Sequence, residues 1–126
     1  GGSKGIVVGT GNKVEDFGVG FFTKYGDGGV DISPIADLMK SDVYELGRDM
    51  GVIDSILKAA PTDGLWDDDR TDEDQLGVSY DELEWAMKYD GSETNDRQKH
   101  ILDVYNKHRN NNLHKMVEIP IYRRDK

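Results

Sequence analysis

The sequence predicts an α/β fold: part of a doubly wound, Rossmann-like parallel sheet, joined to a helix-rich remainder. Three observations predict it. Gly5-Ile6-Val7-Val8-Gly9 is an apolar run closed by glycines, the pattern of a short strand buried on both faces, and such strands lie in parallel sheets covered by helices. A glycine-rich stretch follows it directly, the position at which open α/β sheets place their ligands. Downstream, apolar residues recur at helical spacing and no second run of the same quality appears. A lone strand cannot satisfy its own backbone groups, so the rest of the sheet is expected from residues outside these 126.

Taken in order, residues 10–31 have little periodicity and should be mostly loop, with one helical turn over 13–17 and a short extended piece at Val30-Asp31-Ile32. Pro34 suits a first helical turn, since its φ is preset and its missing N–H is not needed there. Ile35, Leu38, Met39, Val43, Leu46 and Met50 then predict a helix over 35–50, broken near Lys40 and closed by Gly51. Residues 52–57 read as a short second helix ended by Pro61. Residues 62–78 lack an amphipathic period and read as a long connection, a length that points to a functional or disordered segment. Ser79 and Glu82 form a capping box that opens a helix to about Tyr89, with Leu83, Ala86 and Met87 inward. A last helix should run from Asp96 to about Asn110, stopped by Asn110-Asn111-Asn112, and leave an extended tail around Pro120.

Composition narrows the function classes. The chain carries 16 Lys and Arg against 25 Asp and Glu, a net charge of −9. That charge argues against a general nucleic-acid binder and against an anionic membrane surface. No apolar run approaches the roughly 20 residues that span a bilayer, and no secretory leader is visible, so the expectation is a cytoplasmic protein. Cysteine is absent, which removes disulfides, cysteine-ligated zinc and thiol nucleophiles. Acidic residues crowd 63–74, while basic residues and all three histidines collect from Arg97 onward. Such runs read either as solvated faces or as sites for a cation and an anion.

Several chemistries fail on spacing. Gly9-Thr10-Gly11 starts like a dinucleotide fingerprint, but the third glycine is missing. Asp67 and Asp69 lack the turn glycine and terminal glutamate of a calcium loop. The histidines are not at helical ligand spacing, and no nucleophile elbow is present. What remains is Thr10, Glu15, Lys24, Asp27, Asp31 and Lys40 on or beside glycine-rich backbone. Glu15 could offer oxygen to a hard cation, and the lysines point charges to phosphate or carboxylate. Ordinary loop polarity accounts for the same residues.

The runs Gly9-Thr10-Gly11-Asn12-Lys13-Val14-Glu15-Asp16 and Phe21-Phe22-Thr23-Lys24-Tyr25-Gly26-Asp27-Gly28-Gly29-Val30-Asp31 closely resemble NAD⁺ synthetase. The likeness continues through Leu38-Met39-Lys40, Ala60-Pro61-Thr62 and 71–80, and more weakly through His114-Lys115. It implies an adenine-nucleotide α-hydrolase-like domain and an ATP-dependent ligase. Such an enzyme adenylates the nicotinate carboxylate of deamido-NAD⁺, then amidates it with ammonia. It also implies Mg²⁺, a homodimer and a lid over 62–77. By resemblance, Thr10, Lys40 and Thr62 would contact ATP, Glu15 would bind Mg²⁺, and Lys24, Asp31, His114 and Lys115 would contact deamido-NAD⁺. The family's Ser-Gly-Gly-x-Asp-Ser pyrophosphate loop is absent here. Residues 5–126 are therefore expected to be the C-terminal portion of a single domain, with 1–4 an artificial remnant foreign to it. Alone, they should not make NAD⁺. The competing expectations are a non-catalytic nucleotide-binding or dimerisation module, or another ATP-pyrophosphatase synthetase.

Overall fold

The computed structural model describes residues 3–62, 64, 68 and 70–124. A π-helix, Val14–Val19, is followed by five α-helices: α1 Lys40–Asp49, α2 Asp54–Leu57, α3 Asp72–Leu76, α4 Tyr80–Met87 and α5 Asp96–Met116. The extended segment at the start makes one isolated parallel bridge, Val8 to Ile32. Gly9 N donates to Ile32 O at 2.7 Å and Asp31 N to Val7 O at 2.9 Å. The piece around Ile32 is extended, as the sequence predicts, but the opening run is not the lone strand expected, since it pairs there, and it is not buried: Ile6 is 65% and Val8 51% exposed. Among the described residues no sheet forms to cover them.

The core lies instead among the helices. Val14, Val19, Leu76, Val78, Tyr80, Leu83, Ala86 and Ile101 form one buried cluster, flanked by Phe21, Met39, Trp85 and Tyr105. The π-helix packs on α4 and α5. Its C-terminal carbonyls, which no intrahelical donor can reach, are met by side chains of α5. Arg109 donates to Phe17 O and Gly18 O, Asn112 Nδ2 to Val19 O at 3.1 Å, and Lys115 Nζ to Gly20 O at 3.0 Å. Gly20 is required twice over: its φ is +67°, and a Cβ there would sit 2.4 Å from Asn112 Cβ.

These contacts correct one expectation. The asparagine run does not stop α5, which continues to Met116, because Asn112 bonds forward to Val19 O and back to His108 O at 2.8 Å rather than competing for its own backbone. A second correction concerns 62–78. The segment holds α3, capped by Thr71, whose Oγ1 accepts from Asp74 N at 3.1 Å, and closed by left-handed Gly77. Pro34 opens only a turn, and the helix proper starts at Lys40, after extended Met39, whose N–H donates to Asp42 Oδ2 at 2.8 Å. The helices at 54–57 and from Tyr80 stand where the sequence puts them, and the Ser79–Glu82 box is formed. Part of the expected lid, residues 63, 65–67 and 69, lies outside the described residues.

Candidate functional site

The π-helix begins one turn past the extended segment and points Glu15 back toward it. Asn12, buried, fixes this start: its Oδ1 accepts from Val14 N at 3.0 Å and Glu15 N at 3.2 Å. The Glu15 carboxylate then gathers three donors. Oε2 accepts from Asn12 N at 3.1 Å, and Oε1 accepts from Lys40 Nζ at 3.0 Å and Tyr80 OH at 2.9 Å. The Lys40–Glu15 pair is mostly shielded, with side chains 19% and 16% exposed. Lys40 also stands 4.7 Å from the centre of the Tyr80 ring, a cation–π distance. The Tyr80 phenol lies 3.1 Å from Asp72 Oδ2 as well. Burial foremost, then the Glu15 charge and hydrogen bond, holds that phenol well above its usual pKa.

Beside this network lies a cleft of about 500 Å³, lined by Thr10, Glu15, Phe21, Thr23, Asp27, Thr62 and Asp72. A second cleft of about 330 Å³ shares Phe21, Thr23 and Asp27 with it and is lined on its far side by Asn112 and Lys115. The loop 21–27 is therefore the wall between two adjoining compartments, shaped in part by Asp27 Oδ1 accepting from Thr23 N at 2.5 Å.

The sequence-predicted residues fall into two groups and one outlier. Thr10, Glu15 and Thr62 line the first cleft, and Lys40 joins them through Glu15. Thr62 Oγ1 is tied to the segment before α3, donating to Arg70 O at 3.0 Å. Lys24, His114 and Lys115 meet at the end of α5. Lys24 Nζ donates to His114 O at 2.6 Å, and Lys115 Nζ to Phe22 O at 2.7 Å beneath the Phe22 ring. Asp31 stands apart at the bridge, where its Oδ2 accepts from Val7 N at 2.7 Å.

Sequence reasoning missed Tyr80, Asp72 and Asp16. Tyr80 sits inside the recognised capping box, which was informative about a helix start and silent about the face the ring takes. Asp16 occupies the space above Gly11, where a Cβ would fall 2.2 Å from Asp16 Oδ1. Its carboxyl is pushed up to about 6 by burial first, then by the charges of Glu15 and Asp27.

That surplus of negative charge is what a cation would relieve. Among the described residues no group of three or more ligating side chains is poised for a metal ion. Glu15, the residue expected to meet Mg²⁺, has the oxygen donors a hard cation takes, and here they accept from Asn12 N, Lys40 and Tyr80.

A double cleft on a glycine-rich loop just past an extended segment is the position at which α/β proteins take small charged ligands. The comparisons with known proteins narrow that class. The NAD synthase family model matches residues 1–126, and the chain belongs to that family. It is 56% identical over 83 residues to the NH(3)-dependent NAD(+) synthetase of Methanococcoides burtonii, covering 66% of this chain and 31% of that one. It is 45% identical over 107 residues to the enzyme of the same name from Thermoplasma volcanium, covering 82% and 43%. Among solved structures, the NMN synthetase of Francisella tularensis superposes with a TM-score of 0.80 at 38% identity, covering 93% of this chain and 46% of that one. The chain thus spans less than half the length of these relatives. Among the described residues no helix is long and apolar enough to cross a membrane.

Proposed function

We propose that this chain is the C-terminal portion of an ammonia-dependent NAD⁺ synthetase domain, over residues 5–126, with 62–77 serving as a lid. The parallel sheet is completed by residues outside the chain, and the whole enzyme works as a cytoplasmic homodimer. The observation that carries the reading is the pair of compartments sharing the wall Phe21, Thr23 and Asp27, one lined by Lys115 and the other by Glu15, which pairs with Lys40. Two polyanions that must react are brought together only where fixed cations offset their repulsion. Lys40, held by Glu15 and Tyr80, serves the ATP side with Thr10 and Thr62. Lys24, His114 and Lys115 serve the deamido-NAD⁺ side, with Asp31 at its edge.

In the first step a nicotinate carboxylate oxygen attacks the α-phosphorus of ATP, the P–O bond to the β-phosphate breaks, and pyrophosphate leaves. In the second, ammonia attacks the acyl carbon, AMP leaves with the bonding pair, and the nitrogen loses a proton. Mg²⁺ would be held at Glu15, where it would offset phosphate charge. Glu15 orients Lys40, and the 21–27 wall keeps the two substrates in contact at one point only.

The test is turnover by the longer protein carrying these residues, given Mg-ATP, deamido-NAD⁺ and ammonium, with phosphorus NMR for AMP and pyrophosphate. Stoichiometric AMP and NAD⁺ are expected. ADP and free phosphate instead would end the adenylation reading. A second reading, amidation of the corresponding mononucleotide, takes its support from the name of the structural relative. Faster turnover of nicotinate mononucleotide than of deamido-NAD⁺ would establish it.

A further inference from the structure

We infer that Glu84 is a positioning residue for Lys40, and that α4 is the brace on which the ATP side of the site is aligned. Glu84 is a carboxylate only 7% exposed, and it lies outside the described clefts. Its two oxygens are both spent on one residue of another helix: Oε1 accepts from Ser41 N at 2.8 Å and Oε2 from Ser41 Oγ at 2.7 Å. Ser41 is the second residue of α1, immediately after Lys40. Glu84 therefore caps the N-terminus of α1 from outside, where a negative charge is favoured by unpaired N–H groups and by the helix dipole. No side chain of α1's own N-cap, Met39, performs that task.

Tyr80 and Glu84 are one turn apart on α4, so they share a face. Tyr80 grips the Lys40 ammonium through its ring and Glu15 through its hydroxyl, while Glu84 grips the backbone next to Lys40. The lysine is thus held at both ends, by the head and by the root of its side chain. A buried charge committed to such geometry is costly to keep, and its two bonds to Ser41 are what that cost maintains. Where Lys40 serves ATP, as proposed above, a slack α1 start moves the cation off the phosphate, and a displacement of about 1 Å is enough to lower rate strongly.

The test uses the longer protein and two readouts, one of which needs no activity. Acetylation of lysines by a limiting reagent, followed by mass spectrometry, reports Lys40 reactivity relative to exposed Lys58. Glu84→Ala should raise Lys40 labelling about fivefold and Ser41→Ala about twofold, as the held amine is released. Glu84→Gln, which keeps the shape, should recover most of the protection. In kinetics, Glu84→Ala should raise KM for ATP about tenfold while KM for deamido-NAD⁺ moves less than twofold. Unchanged Lys40 labelling in Ser41→Ala and in folded Glu84→Ala would overturn the inference. If Glu84→Ala does not fold, the contrast between Ser41→Ala and Glu84→Gln decides it in the same way. Altered labelling with no ATP turnover by the wild type would leave the brace standing and remove the ligase reading on which its role rests.

Discussion

Glu15 meets three donors and one of them is a shielded lysine, so its charge is matched before any substrate arrives. In the longer protein, Glu15→Gln keeps the shape and removes the charge. The expected outcome is a kcat lowered on the order of a hundredfold, with melting temperature changed by a few degrees, as steady-state rates and calorimetry would show. Normal kcat at saturating Mg²⁺ would remove Glu15 from the reaction. Lys24 donates to a carbonyl at the end of α5 and, on the proposed function, serves the deamido-NAD⁺ side, so Lys24→Met should raise KM for deamido-NAD⁺ more than KM for ATP. Asp16 gives a pH prediction. Its folded pKa of about 6 lies above the ordinary 3.8, so the folded state binds the proton more tightly and stability is lost as pH rises between those values. Asp16→Asn removes that loss. With solvent screening of a half-buried group taken into account, it should stabilise the protein by ~1 kcal/mol at pH 7 and by nothing measurable at pH 3.5. Urea unfolding at the two pH values checks it.

Helices α4 and α5 are tied together by one bidentate ion pair, Arg97 Nε to Glu82 Oε1 at 2.8 Å and Arg97 Nη2 to Glu82 Oε2 at 2.7 Å. Glu82 is also the return half of the Ser79 capping box, and hydrogen bonds from Ser79 and Arg97 hold its carboxyl below the usual range. Arg97→Lys keeps the charge and loses the fork. It should cost only ~0.5 kcal/mol, since the pair is exposed on the arginine side, whereas Ser79→Ala, which removes the cap itself, should cost ~1 kcal/mol. Thermal unfolding of the two variants gives the order. Elements of this kind were legible in the sequence because their signals are local: a Ser-x-x-Glu box and an apolar period, whereas the Pro34 start gave only a turn. The extension of α5 past Asn112 was not, because what holds it is the backbone of the π-helix some ninety residues earlier. Helix α3 carried a local signal, Thr71 with Asp74, that was outweighed by the acidic run around it. The site divides in the same way. Glu15, Thr10 and Thr62 were found through motif, and the structure brings them to one cleft. The Tyr80 ring, the Asp72 contact and the Glu84 cap depend on how α4 meets α1 and α3, which no short pattern encodes.

At the scale of the whole molecule, the sequence says that the opening run belongs to a sheet, and among the described residues that run is paired on one side only, at a single bridge. Ile6, Val7 and Val8 are each more than half exposed, and Ile32 beside them is 45% exposed. The helical core does not reach them. An apolar, half-paired edge is a template for another strand, and here it leads straight into the Thr10–Glu15 cleft, so whatever covers it also steadies the site. If strands of a longer chain provide that cover, as proposed above, the 126 residues on their own should associate through this edge. Sedimentation velocity of the isolated chain should show concentration-dependent oligomers, and Val7→Lys, which places a charge on the exposed edge, should shift them toward monomer. The same isolated chain should release no AMP from ATP and deamido-NAD⁺. A monomeric chain at ~100 μM, or turnover without added partner residues, would show that the edge needs no cover and that the site is complete as it stands, since an exposed strand of this kind is expected to self-pair at such concentrations.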